Sequence, residues 1–303
     1  MYGTERKLVR KARHRYGLKG IEASMIKKTI VILFIIVSIS LFSAASGTEQ
    51  NTEPRQSGKT YVLIVSGINK DSKDHLVKNK AVTDLTRFFL NNAGVIPERL
   101  RILVDKKSAA LKGSGISTAE NFKGQMDRFA ASIKSRDRFI FYYTGQANVV
   151  SGTLRLNLLG PDITHEQLAE WINPIKASSM LIVLDCPGAG LAVKALTGQG
   201  RIIIGACTAE QHYSTKFSEY FVPALLDEVQ DSDTNGDGRI SLLEAFTSAS
   251  KGIDDFYRQQ SLLTTETPVL EDNADGSASR QPWRYEQNNT DGLVASRFFL
   301  LGE

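Results

Sequence analysis

Five short apolar runs constrain this chain more than any other feature: TYVLIVSG from Thr60, RLRILVD from Arg99, RFIFYYTG from Arg138, MLIVLDC from Met180 and RIIIGAC from Arg201. Each has the length of a strand and is apolar at successive rather than alternate positions. A strand without a polar face must be covered on both sides, the usual condition of a parallel sheet between helical layers. The intervening segments supply the helices. His75–Asn92 places Val77, Ala81, Leu85, Phe88 and Phe89 at helical spacing and stops at Asn-Asn-Ala-Gly. Thr118–Ile133 does the same with Phe122, Met126, Phe129 and Ala130. Thr164-His165-Glu166-Gln167 reads as a capping box opening a helix through Ile175, and a short helix is expected near Ala189–Leu196. Asn148–Asp162 breaks the rhythm and reads as an inserted hairpin or long loop. The expected fold class is α/β, a mostly parallel sheet with helices on both faces. Sites in such folds gather beyond the carboxyl ends of the strands, here Gly67/Ile68, Asp105, Thr144/Gly145, Asp185/Cys186 and Cys207/Thr208.

Charge is unevenly distributed. Residues 1–28 hold nine Lys/Arg against Glu5 and Glu22; the other 275 residues hold 28 basic and 31 acidic groups, a net of −3. The folded part is mildly acidic, which argues against nucleic-acid binding. Lys27 and Lys28 precede a 14-residue run, TIVILFIIVSISLF, and Ser43-Ala44-Ala45-Ser46 follows it. That is the layout of a secretory signal peptide with Met25 as a natural start, and the run is short for a bilayer span of about 20 residues. The alternative is an uncleaved signal anchor, since the extra basic residues hold the N-terminus inside. In both cases the expectation is export: secreted or periplasmic, or tethered to the inner membrane. The two cysteines, Cys186 and Cys207, make no disulfide framework; they form one bridge or are both buried.

A metal-binding spacing lies after the fifth strand. Between helices expected at Phe217–Val229 and Ser241–Tyr257, the run DTNGDGRISLLE begins at Asp233 and ends at Glu244. Oxygen ligands fall at positions 1, 3 and 5 (Asp233, Asn235, Asp237) and the turn glycine at 6 (Gly238). Arg239 lends its carbonyl at 7, Ile240 is the apolar residue at 8, Ser241 sits at 9, and Glu244 gives the bidentate carboxylate at 12. A hard cation taking six to eight oxygens requires that pattern, so the cofactor expected is Ca²⁺ in an EF-hand-type loop. Starting at Asp231 instead would put Leu242 at the twelfth position, where it cannot ligate. A second acidic stretch, Glu271–Gly276, begins the same way, but its twelfth position is Pro282, and it reads as a polar turn.

With these segments in hand, the chain resembles the caspase-like cysteine peptidases, specifically the bacterial legumain and metacaspase-type branch. The resemblance rests on Tyr143-Thr144-Gly145, on Val183-Leu184-Asp185 with small residues after it, and on Asp233–Phe246 followed by Thr265–Gly276. It covers about Tyr61–Gly276 and implies a caspase-like three-layer sandwich. It also implies a His-Gly pair after the third strand and a nucleophilic Cys after the fourth. Here Gln146 stands at the histidine position and Pro187 at the nucleophile position, with Cys186 one residue early. Gln146 has no titratable group to act as a base, and a one-residue step at a strand end turns a side chain to the other face. The resemblance therefore implies the fold and argues against the activity. A rescue would use Cys186 with His75, His165 or His212. Asp185 reads as a helix-capping or structural carboxylate.

The expected organisation is a basic extension (1–24), a signal peptide or anchor (25–46), a linker (47–58), a caspase-like core (59–215), a calcium-binding helix–loop–helix (216–260) and an irregular tail (261–303). The leading functional expectation is an exported calcium-binding relative of these peptidases without activity, whose cleft takes a peptide or protein ligand. The alternatives are an active endopeptidase using Cys186 and a calcium-responsive interaction module. Asn288-Asn289-Thr290 fits a glycosylation sequon.

Overall fold

The alternating strands and helices assemble as one seven-stranded sheet in the computed structural model, which describes residues 58–285 and 290–301. The basic extension, the signal or anchor segment, residues 47–57 of the linker and Asn288-Asn289 of the sequon lie outside the described residues.

Strands β1 (Thr60–Ser66), β2 (Leu100–Val104), β3 (Gly115–Ile116), β4 (Arg138–Thr144), β8 (Ser179–Asp185), β9 (Arg201–Gly205) and β10 (Val269–Glu271) run in the order β10-β9-β8-β4-β1-β2-β3. Every neighbouring pair is parallel except β10 with β9. A small antiparallel sheet of β5 (Ala147–Val150), β6 (Thr153–Leu156) and β7 (Ile163–Thr164) fills the stretch read as an inserted hairpin.

The continuous apolarity of the runs has a direct cause. Successive side chains of a strand point to opposite faces, and here both faces are core. Val62, Ile64, Ile140, Tyr142, Leu181 and Val183 enter one layer; Leu63, Val65, Phe139, Phe141, Ile182 and Leu184 enter the other. The first layer is closed by α1 (Ser72–Asn91), α5 (Phe217–Leu225) and α6 (Leu242–Gln259), the second by α2 (Ala119–Ser132), α3 (His165–Ile172) and the short α4 (Val193–Leu196). Each aliphatic side chain fully buried there contributes roughly 1.5–3 kcal/mol.

Helix starts follow local chemistry. The Asp71 carboxylate accepts from the amides of Lys73 and Asp74 to open α1 three residues before His75, Thr118 caps α2, and Thr164 with Gln167 forms the anticipated capping box of α3. That helix ends at Ile172 rather than Ile175, and two further readings of the sequence change. The helix expected through Val229 ends at Leu225, because Asp227 takes a left-handed conformation (φ 59°) that a helix cannot continue through. The tail expected to be irregular contributes β10, which closes the sheet edge beside β9 and brings residues 264–268 to the carboxyl edge of the parallel strands. No helix of the described residues is long and apolar enough to cross a membrane.

Strand order reverses between β1 and β4, so the loops after them flank the crevice where doubly wound sheets place their sites. The two loops approach closely. A Cβ added to Gly67 would lie 2.2 Å from the Tyr143 hydroxyl and 2.5 Å from the Asn157 carbonyl oxygen.

Candidate functional site

Asp185, the last residue of β8, is the centre of the carboxyl edge. Its carboxylate is fully buried and accepts hydroxyl hydrogens from Thr144 (2.7 Å), Thr215 (2.5 Å) and Ser218. Ser218 also pairs with the Tyr142 hydroxyl at 2.9 Å. Three hydroxyl donors around one desolvated carboxylate tie β4, β8 and the start of α5 together, which gives Asp185 a structural role.

Beside it, Lys78 is 1% exposed and donates from Nζ to the Gly145 carbonyl at 3.2 Å, with Asp74 3.9 Å away. Gln146 follows β4 and Gly145 at the same edge. Its amide donates to Asp74 and to the Ser214 hydroxyl, each at 3.1 Å. It therefore latches the start of α1 to the loop before α5. An amide can make these bonds but cannot exchange a proton at any useful pH.

The sulfur chemistry is closed. Cys186 follows Asp185 and, being one step along the chain, turns the other way, into the apolar layer with Leu154, Leu184 and Ala189. It is fully buried, and Pro187 after it is buried too. Burial pushes the Cys186 thiol well above its ordinary range, reinforced by Cys207 and Asp185 and only partly offset by Lys78. Cys207 is buried as well, and desolvation carries it up to about 12. Its sulfur accepts the Gly188 amide hydrogen at 3.1 Å and lies 3.2 Å from the Gln211 carbonyl. Both cysteines are free thiols, so of the two sequence expectations the buried pair is the one observed.

The rescue histidines are engaged elsewhere. His75 lies 3.2 Å from the Asn69 amide and 3.6 Å from Asp105. His165 sits beside Glu166 at 3.2 Å. The His212 ring lies beside Gly188, and its Nε2 is 2.8 Å from the Ala209 carbonyl. Among the described residues no histidine is hydrogen-bonded to either thiol.

The acidic loop folds around its first residue. The Asp233 carboxylate receives the amide hydrogens of Gly236 (2.7 Å), Asp237 (3.2 Å) and Gly238 (2.8 Å). Asn235 Oδ1 accepts from the Asp237 amide and Asp237 Oδ1 from the Arg239 amide. Gly236 and Gly238 take φ of 71° and 77°, a conformation that side chains resist. The Arg239 guanidinium lies over the Phe299 ring at 3.9 Å, which leaves its backbone carbonyl as its contribution to the loop.

Glu244 caps α6. One oxygen accepts from the Ser241 amide and hydroxyl, completing a capping box; the other accepts from the Thr234 amide and hydroxyl and the Asn235 amide. These bonds hold its acid below the usual range against the opposing effect of burial. Among the described residues no three His, Cys, Asp or Glu side chains converge on one point. Asp233, Asn235, Asp237 and the Arg239 carbonyl keep unused lone pairs, whereas Glu244 would exchange amide and hydroxyl donors for a metal. The segment leading into the loop is not helical, since α5 ends at Leu225.

Two further groups carry no signal in the sequence. Lys78 looks like one more surface lysine of an amphipathic helix. Glu266 precedes β10 and is 1% exposed; burial pushes its acid up to about 8, although its Oε2 accepts the Lys216 amide hydrogen at 2.8 Å. Only the contacts of α1 and α5 reveal either. No protein-family model matches the chain, and no curated protein matches it.

Proposed function

We propose that this chain is a non-catalytic relative of the caspase-like cysteine peptidases, exported or tethered through residues 25–46, with a structural calcium site at Asp233–Glu244. The observation that carries this reading is the carboxyl edge of the sheet. The base position holds Gln146, latched to Asp74 and Ser214, and the nearest thiol, Cys186, is fully buried in the apolar layer. A thiol is a nucleophile only as thiolate, and desolvation that Lys78 only partly offsets disfavours that form. The strand order, with its switch between β1 and β4, and the helices on both faces support the family reading at the level of architecture alone.

Calcium, when bound, would offset most of the charge of three carboxylates and pin the segment between α5 and α6. Asp233, Asn235 and Asp237 would hold it with their side chains, Arg239 with its carbonyl and Glu244 with its carboxylate. A single loop of this charge suits an affinity on the order of 10⁻⁵–10⁻³ M. Because Glu244 must release the donors of residues 234, 235 and 241, part of the binding energy offsets the loss of its cap. The ion acts as a clip on the fold.

Isothermal titration of the purified protein with Ca²⁺, repeated on Glu244→Gln, tests the site. One-site binding that the substitution weakens about tenfold or more is expected. Equal heats for the two proteins would remove Glu244 from the ligand set. Peptidase activity is tested with a cysteine-directed peptide electrophile, and covalent capture at Cys186 would overturn the non-catalytic reading.

A further inference from the structure

The last strand of the sheet is too short to cover its neighbour. β3 pairs only with Leu103 and Val104, so the outer edge of β2 from Leu100 to Ile102 meets no strand. A cavity of about 380 Å³ opens there between the helical layers, bounded by Thr86 and Leu90 of α1, Gln125 of α2, the β2 edge and the turn at 112–115. Its charged wall is basic, because Arg101 and Lys112 line it. Arg101 is anchored through one nitrogen: Nη1 donates to the Pro97 and Leu100 carbonyls at 2.7 and 2.9 Å. Its Nε and Nη2 have no acceptor among the described residues. Arg128 stands one turn beyond Gln125 on α2. Burial, and after it Arg128, hold the Arg101 guanidinium below its usual range, with Glu98 acting the other way. Two guanidiniums that crowd each other are unfavourable unless an anion joins them. The carboxylates of the adjoining helix turns are already taken: Asp84 pairs with Lys80 and Arg87, and Asp127 with Lys123. Among the described residues Lys112 and Arg128 form no ion pair.

A folded part that is mildly acidic as a whole thus gathers three cations at one cavity, with Glu98 the carboxylate that answers them. We propose that the cavity binds a phosphate monoester of a small organic group. The phosphate bridges Arg101, Lys112 and Arg128, and the organic part lies against Leu90, Pro97 and Ile102. A phosphate monoester carries a charge of about −1.5 to −2 near pH 7 and three strong acceptor oxygens, enough for all three cations. A carboxylate is matched by a single guanidinium fork and would leave the other two cations unanswered. The free Nε and Nη2 form one edge of the planar Arg101 guanidinium, the arrangement that takes two phosphate oxygens in parallel. The volume lies within the roughly 300–1,000 Å³ typical of small-molecule sites, and it exceeds what a phosphate alone fills. The apolar floor gives the remainder of the ligand its surface. The site lies at the β2 edge of the sheet, and the proposal depends neither on calcium nor on the likeness to peptidases.

Isothermal titration of the purified protein with phenyl phosphate tests it. Phenyl sulfate, of the same shape and lower charge, and inorganic phosphate, which lacks the organic group, serve as paired controls. Phenyl phosphate is expected to bind at least about tenfold more tightly than either. Its binding is expected to weaken as the pH falls below about 6, where the ester takes up its second proton. Arg128→Ala and Lys112→Ala, at exposed positions where folding is not at stake, are each expected to reduce the affinity about tenfold. Lys251→Ala removes the same charge from the exposed face of α6 and is expected to leave the affinity unchanged. Vesicles containing phosphatidic acid carry the same monoester on a lipid. Co-sedimentation that Arg128→Ala abolishes would assign the ligand to a membrane, and binding of the soluble ester alone would assign it to a free molecule. The proposal is overturned if phenyl phosphate does not bind at roughly 10 mM, if either control binds as tightly, or if Lys251→Ala weakens binding as much as Arg128→Ala.

Discussion

Replacing Glu266 by Gln tests the energetics of the buried edge. The carboxyl is 1% exposed, receives the Lys216 amide on one oxygen and has no partner on the other. Desolvation, with Asp185 nearby, raises its acid from 4.5 to about 8, against the lowering effect of Lys78. Because the folded value lies above the unfolded one, the folded form holds the extra proton. The stability it supports is fully present below about 4.5 and is lost as the pH rises through about 8. A separation of about 3.5 units corresponds to roughly 5 kcal/mol over the whole window, of which about 3 kcal/mol is lost by pH 7. Gln keeps an acceptor for the Lys216 amide and cannot ionise. Urea unfolding of both proteins between pH 4.5 and 8.5 is expected to give similar stability at the acid end and a variant more stable by several kcal/mol at the alkaline end. The wild-type excess slope should approach 1.4 kcal/mol per pH unit. Asp291, which burial and the acids around it push up to about 7, adds the same decline to both proteins and cancels from their difference. Parallel stability curves would refute the reasoning, because they would mean that Glu266 ionises as it does in the unfolded chain.

Other outcomes follow from the same structure. Asp185→Ala strands three buried hydroxyls and is expected to destabilise the protein by about 3–5 kcal/mol, measured by chemical denaturation. Glu271, fully buried with neither oxygen hydrogen-bonded, is the opposite case. Glu271→Met removes an uncompensated carboxyl from the β10 edge and is expected to raise stability by about 1–3 kcal/mol. At free calcium near 100 times the dissociation constant, the ion is expected to add about 2.7 kcal/mol, read as a Tm that falls on chelation; an unchanged Tm would exclude the clip.

The parts legible in the sequence are those whose cause is local. β1, β4 and β8 announce themselves because both of their faces are core, and α3 because Thr164 and Gln167 cap it reciprocally. The inward turn of Cys186 follows from strand alternation alone. What stayed hidden depends on distant partners. Nothing in DNADG shows that the preceding three residues pair with β9, nor does Asp227 signal the left-handed turn that ends α5 two residues before it. The cleft beside α6 combines residues 250, 266 and 280–283, from three segments that meet only through the fold. Glu244 shows the limit most plainly. Its position suits both a metal ligand and the third residue of a capping box, and the structure finds it capping.

The central claim is that the carboxyl edge of the sheet holds no working nucleophile. Its most direct measurement is the rate of native-state alkylation at Cys186 and Cys207 by iodoacetamide across pH 6–10, read by peptide mass spectrometry and repeated on Cys186→Ala. The account predicts that both thiols stay unlabelled until the protein is unfolded. Rapid labelling of Cys186 at neutral pH, absent from Cys186→Ala and faster than at Cys207, would contradict it.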